Sequence, residues 1–296
     1  LKFPPRPYQE EAFTALDYYL NNPNLRRKPT QLLFHMATGS GKTLIMAGAI
    51  LELYNMGYRN FIFFVNSDTI IRKTKENFLN SISPKYLFKD QINIKSSNVK
   101  IKDVDNFESI NPNDINILFS TIQGLHTRLN APRENSLTFE DFINKEVVLI
   151  SDEAHHINTL TKNKLSTKER SHQQTWEYSV DRIVNSNPNN ILLEFTATLE
   201  LNHPNIASKY SDKLLYDYSL AKYREDGYSK EVQTNQGDYD AIDRALVAVL
   251  ISQFKKKIFA SNGLLIKPVI MFKSKTTAES AEIEKLSNSR SVTACD

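Results

Sequence analysis

The chain has 296 residues, room for about two domains of ordinary size, and its net charge of +3 implies no polyanion-binding tail. With 40% hydrophobic and 24% charged residues it has the composition of a soluble globular protein. The longest apolar run, Ala245 to Ile251, is far short of the roughly 18 residues that cross a bilayer, and the opening Leu-Lys-Phe-Pro-Pro-Arg-Pro is no secretory signal. A single cysteine, Cys295, excludes an internal disulfide framework and a Cys-based zinc site. The expectation is a cytoplasmic protein with no membrane partner. A start without Met and an end on Ala-Cys-Asp point to a piece of a longer chain.

In chain order, the apolar runs Gln31 to Met36, Phe61 to Val65, Ile115 to Ser120, Val147 to Ser151 and Ile191 to Thr196 read as strands. Their hydrophobicity is continuous rather than alternating, as a strand covered on both faces requires. Leu44 to Tyr54 and Thr69 to Leu79 read as crossover helices, the second with Asp68 as N-cap. Strands alternating with helices imply βαβ units, hence an α/β fold with a doubly wound parallel sheet. The stretch from Thr159 to Thr175 is polar without apolar period and reads as a surface loop. Beyond Leu220 the texture changes: Glu225-Asp226-Gly227 and Asn235-Gln236-Gly237-Asp238 are turn signals. The expected division is a first domain over 1–225, a linker over 226–240 and the beginning of a second, incomplete domain over 241–296. In that last part, 241–259 reads as a helix with two apolar stripes, packed on two sides. Leu264 to Phe272 reads as a strand, and Thr276 to Leu286 as a helix.

The sharpest chemical signal is Met36-Ala37-Thr38-Gly39-Ser40-Gly41-Lys42-Thr43, placed between a predicted strand and a predicted helix. Glycines let the backbone take positive φ and approach phosphates closely, and N–H groups at a helix N-terminus point at negative charge. Lys42 would reach the β and γ phosphates and the Thr43 hydroxyl would ligate Mg²⁺. The generic pattern has Gly where this chain has Met36. The second signal is Val147-Val148-Leu149-Ile150-Ser151-Asp152-Glu153-Ala154-His155. A carboxylate just past the carboxyl end of a buried parallel strand lies where ligands of open α/β sheets bind. Asp152 suits a metal, and Glu153 the orientation or deprotonation of an attacking water. Adjacent His155 and His156 have no spaced partner and do not read as a zinc site.

Met36 to Thr43, Asp152-Glu153-Ala154-His155 and Thr196-Ala197-Thr198, in that order, resemble motifs I, II and III of superfamily 2 helicases and translocases. Arg6-Pro7-Tyr8-Gln9 resembles the adenine-contacting segment, with Gln9 on the base. Val65-Asn66-Ser67 stands in the place of motif Ia, Ser120-Thr121-Ile122-Gln123 is similar to a strand-gripping motif, and Ile270 to Ser274 takes the place of motif IV. The superfamily's Met or Ala before the Thr-Gly cradle accounts for the missing first glycine. The flanking words Asp152 to Ile157, Leu193 to Thr198 and Lys267 to Lys275 narrow the resemblance to the Res subunit of type III restriction-modification enzymes.

This resemblance implies a RecA-like P-loop NTPase domain followed by the start of a second RecA-like domain. It implies an ATP-dependent translocase that hydrolyses ATP to ADP and phosphate as it moves on double-stranded DNA for endonuclease cleavage, with a methyltransferase (Mod) subunit as partner. The implied catalytic set is Lys42, Asp152, Glu153 and His155. Gln9, Thr38, Gly39, Ser40, Gly41, Lys42 and Thr43 would bind ATP, Thr43 and Asp152 would hold Mg²⁺, and Thr196 and Thr198 would couple the sites. Asn66, Ser67, Thr121, Gln123, Lys273 and Ser274 would contact DNA, chiefly through phosphates, because a motor moving along any sequence cannot depend on base edges. Motifs V and VI, a completing arginine and the nuclease domain are expected beyond residue 296, so that this stretch alone would bind and hydrolyse nucleotide weakly. The alternative is a DNA or RNA helicase or repair motor of the same superfamily without nuclease activity.

Overall fold

The computed structural model describes residues 1–296 apart from 96, 109, 132–136, 155–166, 200–203, 230–233, 235, 282, 283 and 285–296. The chain divides into two units, Leu1–Glu231 and Val232–Asp296. In the first, α1 (Pro7–Asn21) precedes β1 (Thr30–Met36), α2 (Lys42–Asn55), β2 (Asn60–Val65) and α3 (Asp68–Leu79). An antiparallel hairpin, β3 (Ile92–Ile94) with β4 (Ser97–Val99), leads to β5 (Ile101–Asp103), β6 (Ile115–Thr121), α4 (Ile122–Asn130) and α5 (Asp141–Asn144). Then come β7 (Val147–Asp152), α6 (Thr167–Ser186), β8 (Ile191–Thr196), α7 (Pro204–Tyr210), β9 (Leu214–Tyr218) and α8 (Leu220–Glu225).

Seven strands form one sheet in the order β5-β6-β2-β7-β8-β1-β9, with every neighbouring pair parallel. Each central strand divides its side chains between two cores. Phe61, Phe63 and Val65 of β2 face the cluster built with Leu16, Ile45, Ile50 and Phe78 from α1, α2 and α3. Ile62 and Phe64 face the cluster built with Ile122, Leu125, Ile183 and Val184 from α4 and α6. All six residues of β2 are buried. This is the physical content of a continuous apolar run: a period-2 element with both faces covered favours apolar residues at every position, and the polar exceptions, Asn60 here and Glu194 in β8, are buried with hydrogen-bond partners. The large parallel sheet flanked by helices is the architecture of a RecA-like P-loop NTPase domain.

Several sequence expectations change in the structure. Asp152 is the last residue of β7 rather than a residue beyond it, and Ser67 rather than Asp68 is the N-cap of α3. Residues 167–175, read as loop, are the first half of α6, whereas 159–166 lie outside the described residues. Lys, Glu, Arg and Gln there are good helix formers even without an apolar stripe. The edge strands β5 and β9 are short and only partly buried, so they carry no long apolar run.

The second unit contains α9 (Ala241–Ser261) and a helical turn at 277–281. Leu264 to Phe272 is not a strand: it has no ladder partners among the described residues, and Leu265, Val269 and Met271 are almost fully exposed. Both stripes of α9 are exposed as well, at Leu246 and Val249 on one and Phe254 and Ile258 on the other, instead of packed on two sides. A strand exists only through hydrogen bonds to a neighbour, and an apolar stripe is buried only against another element. Among the described residues this unit offers neither.

Candidate functional site

The loop from Ala37 to Gly41 joins the end of β1 to the start of α2 and has two left-handed residues, Gly39 at φ 84° and Gly41 at φ 83°. Gly41 is the N-cap of α2. A Cβ there would lie 2.5 Å from Gln9 Nε2, so its lack of a side chain serves both the turn and the close approach of α1. The carbonyl side of the loop is held from outside. Tyr8 and Gln9 both donate to the Ser40 carbonyl, at 2.8 and 2.7 Å, and the Tyr223 hydroxyl donates to the Gly39 carbonyl at 3.0 Å. Gln9 Oε1 in turn accepts from the Arg6 backbone N–H at 2.9 Å, which fixes the amide. Within the loop the Ser40 N–H donates to the Ala37 carbonyl at 3.2 Å, and beyond it the first turn of α2, opening at Lys42, presents the N-terminal amides at which helices bind anions.

Lys42 opens α2, is almost buried, and its ammonium reaches the Met36 carbonyl at 3.4 Å. Asp152 ends β7, two strands away, with β8 between. Burial pushes the Asp152 carboxyl up to about 6; the Lys42 ammonium pulls it down, Glu153 pushes it up, and the Glu153 backbone N–H, donating at 3.0 Å, lowers it again. Glu153 has φ 55°, in the left-handed region that residues bearing a Cβ rarely take. Such strain is found where surrounding structure fixes a side chain for a purpose. Ser40 Oγ and Ser151 Oγ are buried without a hydrogen-bond partner among the described residues. A helix N-terminus, an orphaned hydroxyl, a lysine and a carboxylate fit a phosphate chain with its divalent cation. Thr43, in the first turn of α2, is partly exposed at the same edge.

Thr196 ends β8, paired with His35 of β1, while the preceding Phe195 pairs with Asp152. It therefore stands between the Lys42 loop and Asp152 at the sheet edge. Its hydroxyl donates to the Thr198 carbonyl at 3.0 Å and accepts from the Thr198 N–H at 3.3 Å, closing a local turn. Asn66 and Ser67 follow β2, and Thr121 ends the neighbouring β6, opposite Val65. Thr121 caps α4 by accepting from Gly124 at 3.0 Å; Asn66 and Gln123 are exposed. All four emerge at the same carboxyl edge as Lys42 and Asp152. Thr38 and Gly39 are exposed on the loop itself. Lys273 and Ser274 belong to the second unit, and His155 lies outside the described residues.

Sequence reading missed the aromatic group behind the loop. Tyr8 stacks on Tyr218 with ring centroids 4.2 Å apart, Tyr223 stacks on Tyr228 at 5.7 Å, and Arg6 lies over the Tyr228 ring at 5.0 Å. Tyr218 also donates to Asp226 at 2.5 Å, and burial first, then that carboxylate, pushes its phenol upward, so it stays a donor. The only trace in the sequence was the density of tyrosines between 216 and 228, more than 170 positions from the loop they serve.

Residues 2–201 match the family model described as type III restriction enzyme, res subunit. A curated relative, the probable type III restriction-modification enzyme HindVIP Res subunit of Haemophilus influenzae, is 34% identical over 304 residues, covering 95% of this chain and 59% of the relative. The chain thus spans about three fifths of that relative's length. Among solved structures, the helicase domain of Pyrococcus furiosus Hef is similar over 98% of this chain and 54% of its own (16% identity, TM-score 0.44). The DNA-bound Type ISP restriction-modification enzyme LlaBIII is similar over 76% of this chain and 16% of its own (15% identity, TM-score 0.48).

Proposed function

Because the chain belongs to the family of type III restriction enzyme Res subunits, a branch of the superfamily 2 helicases and translocases, we propose that it is an ATP-driven motor acting on double-stranded DNA. In the whole protein that movement serves endonuclease cleavage, in partnership with a methyltransferase subunit. One observation supports this reading above the rest. The lysine of a glycine-turned loop and a buried carboxylate, more than a hundred positions apart, lie at one sheet edge close enough for Lys42 to bias the ionisation of Asp152.

In the proposed mechanism ATP lies along this edge with its phosphates on the amides of Gly39 to Thr43 and on Lys42. Thr43 and Asp152 would hold Mg²⁺, which when bound would neutralise charge on the phosphates. Glu153 orients and deprotonates the attacking water, with His155 completing the catalytic group. Gln9 reads the base while gripping Ser40. Thr196 and Thr198 couple the halves of the site, and Asn66, Ser67, Thr121 and Gln123 grip the DNA backbone with neutral donors suited to repeated release. Lys273 and Ser274 add contacts from the second unit. We assign residues 1–225 to the motor domain, 226–240 to a linker and 241–296 to the opening of a second RecA-like domain.

The test is ATP turnover with double-stranded DNA, single-stranded DNA or RNA in parallel. Double-stranded DNA should stimulate most, and Lys42→Ala should abolish the stimulated rate. Stimulation by RNA alone would replace the restriction reading with that of a helicase.

A further inference from the structure

The loop from Ala37 to Gly41 is tied to the last segment of the first unit by two independent bonds, one through an N–H and one through a carbonyl. The Ala37 N–H donates to the Tyr218 carbonyl at 3.0 Å, and the Tyr223 hydroxyl donates to the Gly39 carbonyl at 3.0 Å. From these anchors the segment continues through a closed set of contacts. Tyr218 donates to Asp226, the Tyr228 N–H donates to the Tyr223 carbonyl at 3.1 Å, and Tyr228 stacks on Tyr223 and carries Arg6 on its ring. Three residues after Tyr228 the first unit ends, and the chain enters the second. A donor on a peptide carbonyl polarises the N–H of the same peptide plane, here the Ser40 N–H, which donates to the Ala37 carbonyl at 3.2 Å and closes the turn of the loop. Any rotation of the Gly39–Ser40 peptide moves the acceptor of Tyr223 with it.

We propose that Tyr223 is a positioning residue for phosphate binding. Its hydroxyl fixes the Gly39–Ser40 peptide and transmits nucleotide-dependent movement of the phosphate loop to residues 219–231, the stretch through which the chain leaves the motor domain. This rests on the nucleotide reading above and adds the path by which occupancy is communicated. Tyr8 is bonded to the same loop but sits on α1, near the chain's beginning. Its contact with the later segment is made by its ring, stacked on Tyr218 and edge-on to Tyr223 and Tyr228, and Tyr8→Phe keeps that ring, so Tyr223 and Tyr8 should differ in what their hydroxyls carry.

The experiment is hydrogen exchange by mass spectrometry on the whole chain with and without Mg·ADP, comparing peptides over 37–43 and 219–231. In the unsubstituted protein both should become protected, by about threefold or more in exchange rate. Tyr223→Phe, which keeps the ring and its stacking, should keep protection at 37–43, lose it at 219–231, and weaken ADP binding two- to tenfold. Tyr8→Phe should weaken binding to a similar degree and keep protection in both. Protection confined to 37–43 in the unsubstituted protein, or retained at 219–231 in Tyr223→Phe, overturns the proposal. No protection at 37–43 removes the nucleotide reading and the proposal together. Should Tyr223→Phe fail to fold, the unsubstituted protein and Tyr8→Phe still decide it: loss at 219–231 in Tyr8→Phe would show that the path does not run through Tyr223.

Discussion

Two adjacent carboxylates meet different environments, and chemistry follows from the difference. Asp152 is pushed up to about 6 chiefly by burial, so without a cation the native state favours its protonated form. The sign is that of a raised acid. The stabilisation is fully present below the unfolded value near 3.8 and is lost as pH rises through about 6. At pH 8 the ionised carboxylate costs up to about 3 kcal/mol at ~1.4 kcal/mol per unit. In metal-free solution Asp152→Asn should therefore stabilise the protein by about 1–3 kcal/mol at pH 8 and by nearly nothing at pH 4, read by urea unfolding. The same substitution should abolish Mg²⁺-dependent nucleotide binding, a trade of stability for function. Glu153 keeps its strained backbone whether acid or amide. Glu153→Gln should leave nucleotide affinity within about threefold and lower turnover by a factor on the order of 10² to 10⁴, the range of a general base, read by steady-state hydrolysis.

At the scale of elements, the loop between β1 and α2 and the sheet beneath it carry separable loads. Gly41 combines a left-handed turn with the seat of Gln9. Gly41→Ala strains the backbone by about 1 kcal/mol and displaces a hydrogen bond worth a similar amount. Unfolding stability should fall by about 1–3 kcal/mol, and ADP affinity should fall with it. Phe63 of β2 is fully buried, with Phe78 of α3 and Phe119 of β6 around its ring. Phe63→Ala should cost about 3–5 kcal/mol, measured by urea titration, because these tightly packed rings cannot close over the space left. That substitution tests the scaffold, and Gly41→Ala tests the site it presents.

At the scale of the whole molecule, the two units differ in what they bury. The first closes a seven-stranded sheet between two helical layers, whereas the described part of the second exposes Leu265, Val269 and Met271 almost completely. Segments without buried apolar area or ladder bonds open at little cost, and proteases cut what opens. Brief trypsin treatment should degrade residues 232–296 and leave a resistant product close to 1–231, identified by intact mass. Survival of the 264–274 stretch at the same rate as β2 would contradict this.

Much of the molecule was legible in one dimension. The five central strands, the α2 and α3 crossovers and the glycine-turned loop between β1 and α2 announce themselves because each depends on contiguous residues: a run apolar on both faces, a helical period, or a Gly-Ser-Gly turn before Lys42. Asp152 was legible for a related reason, since a carboxylate at the end of a buried strand must emerge at the sheet edge. What only the tertiary structure decided are matters of partnership. Strand order placed β8, with Thr196, between the halves of the site. The fold gave Tyr8 and Tyr223 their acceptors on the loop, and burial raised Asp152. Neighbours likewise decided that the run 264–272, apolar as it is, forms no strand. Propensity and pattern are properties of a segment, whereas a hydrogen bond, a ladder or a shifted ionisation belongs to two segments at once, and only the fold determines which two meet.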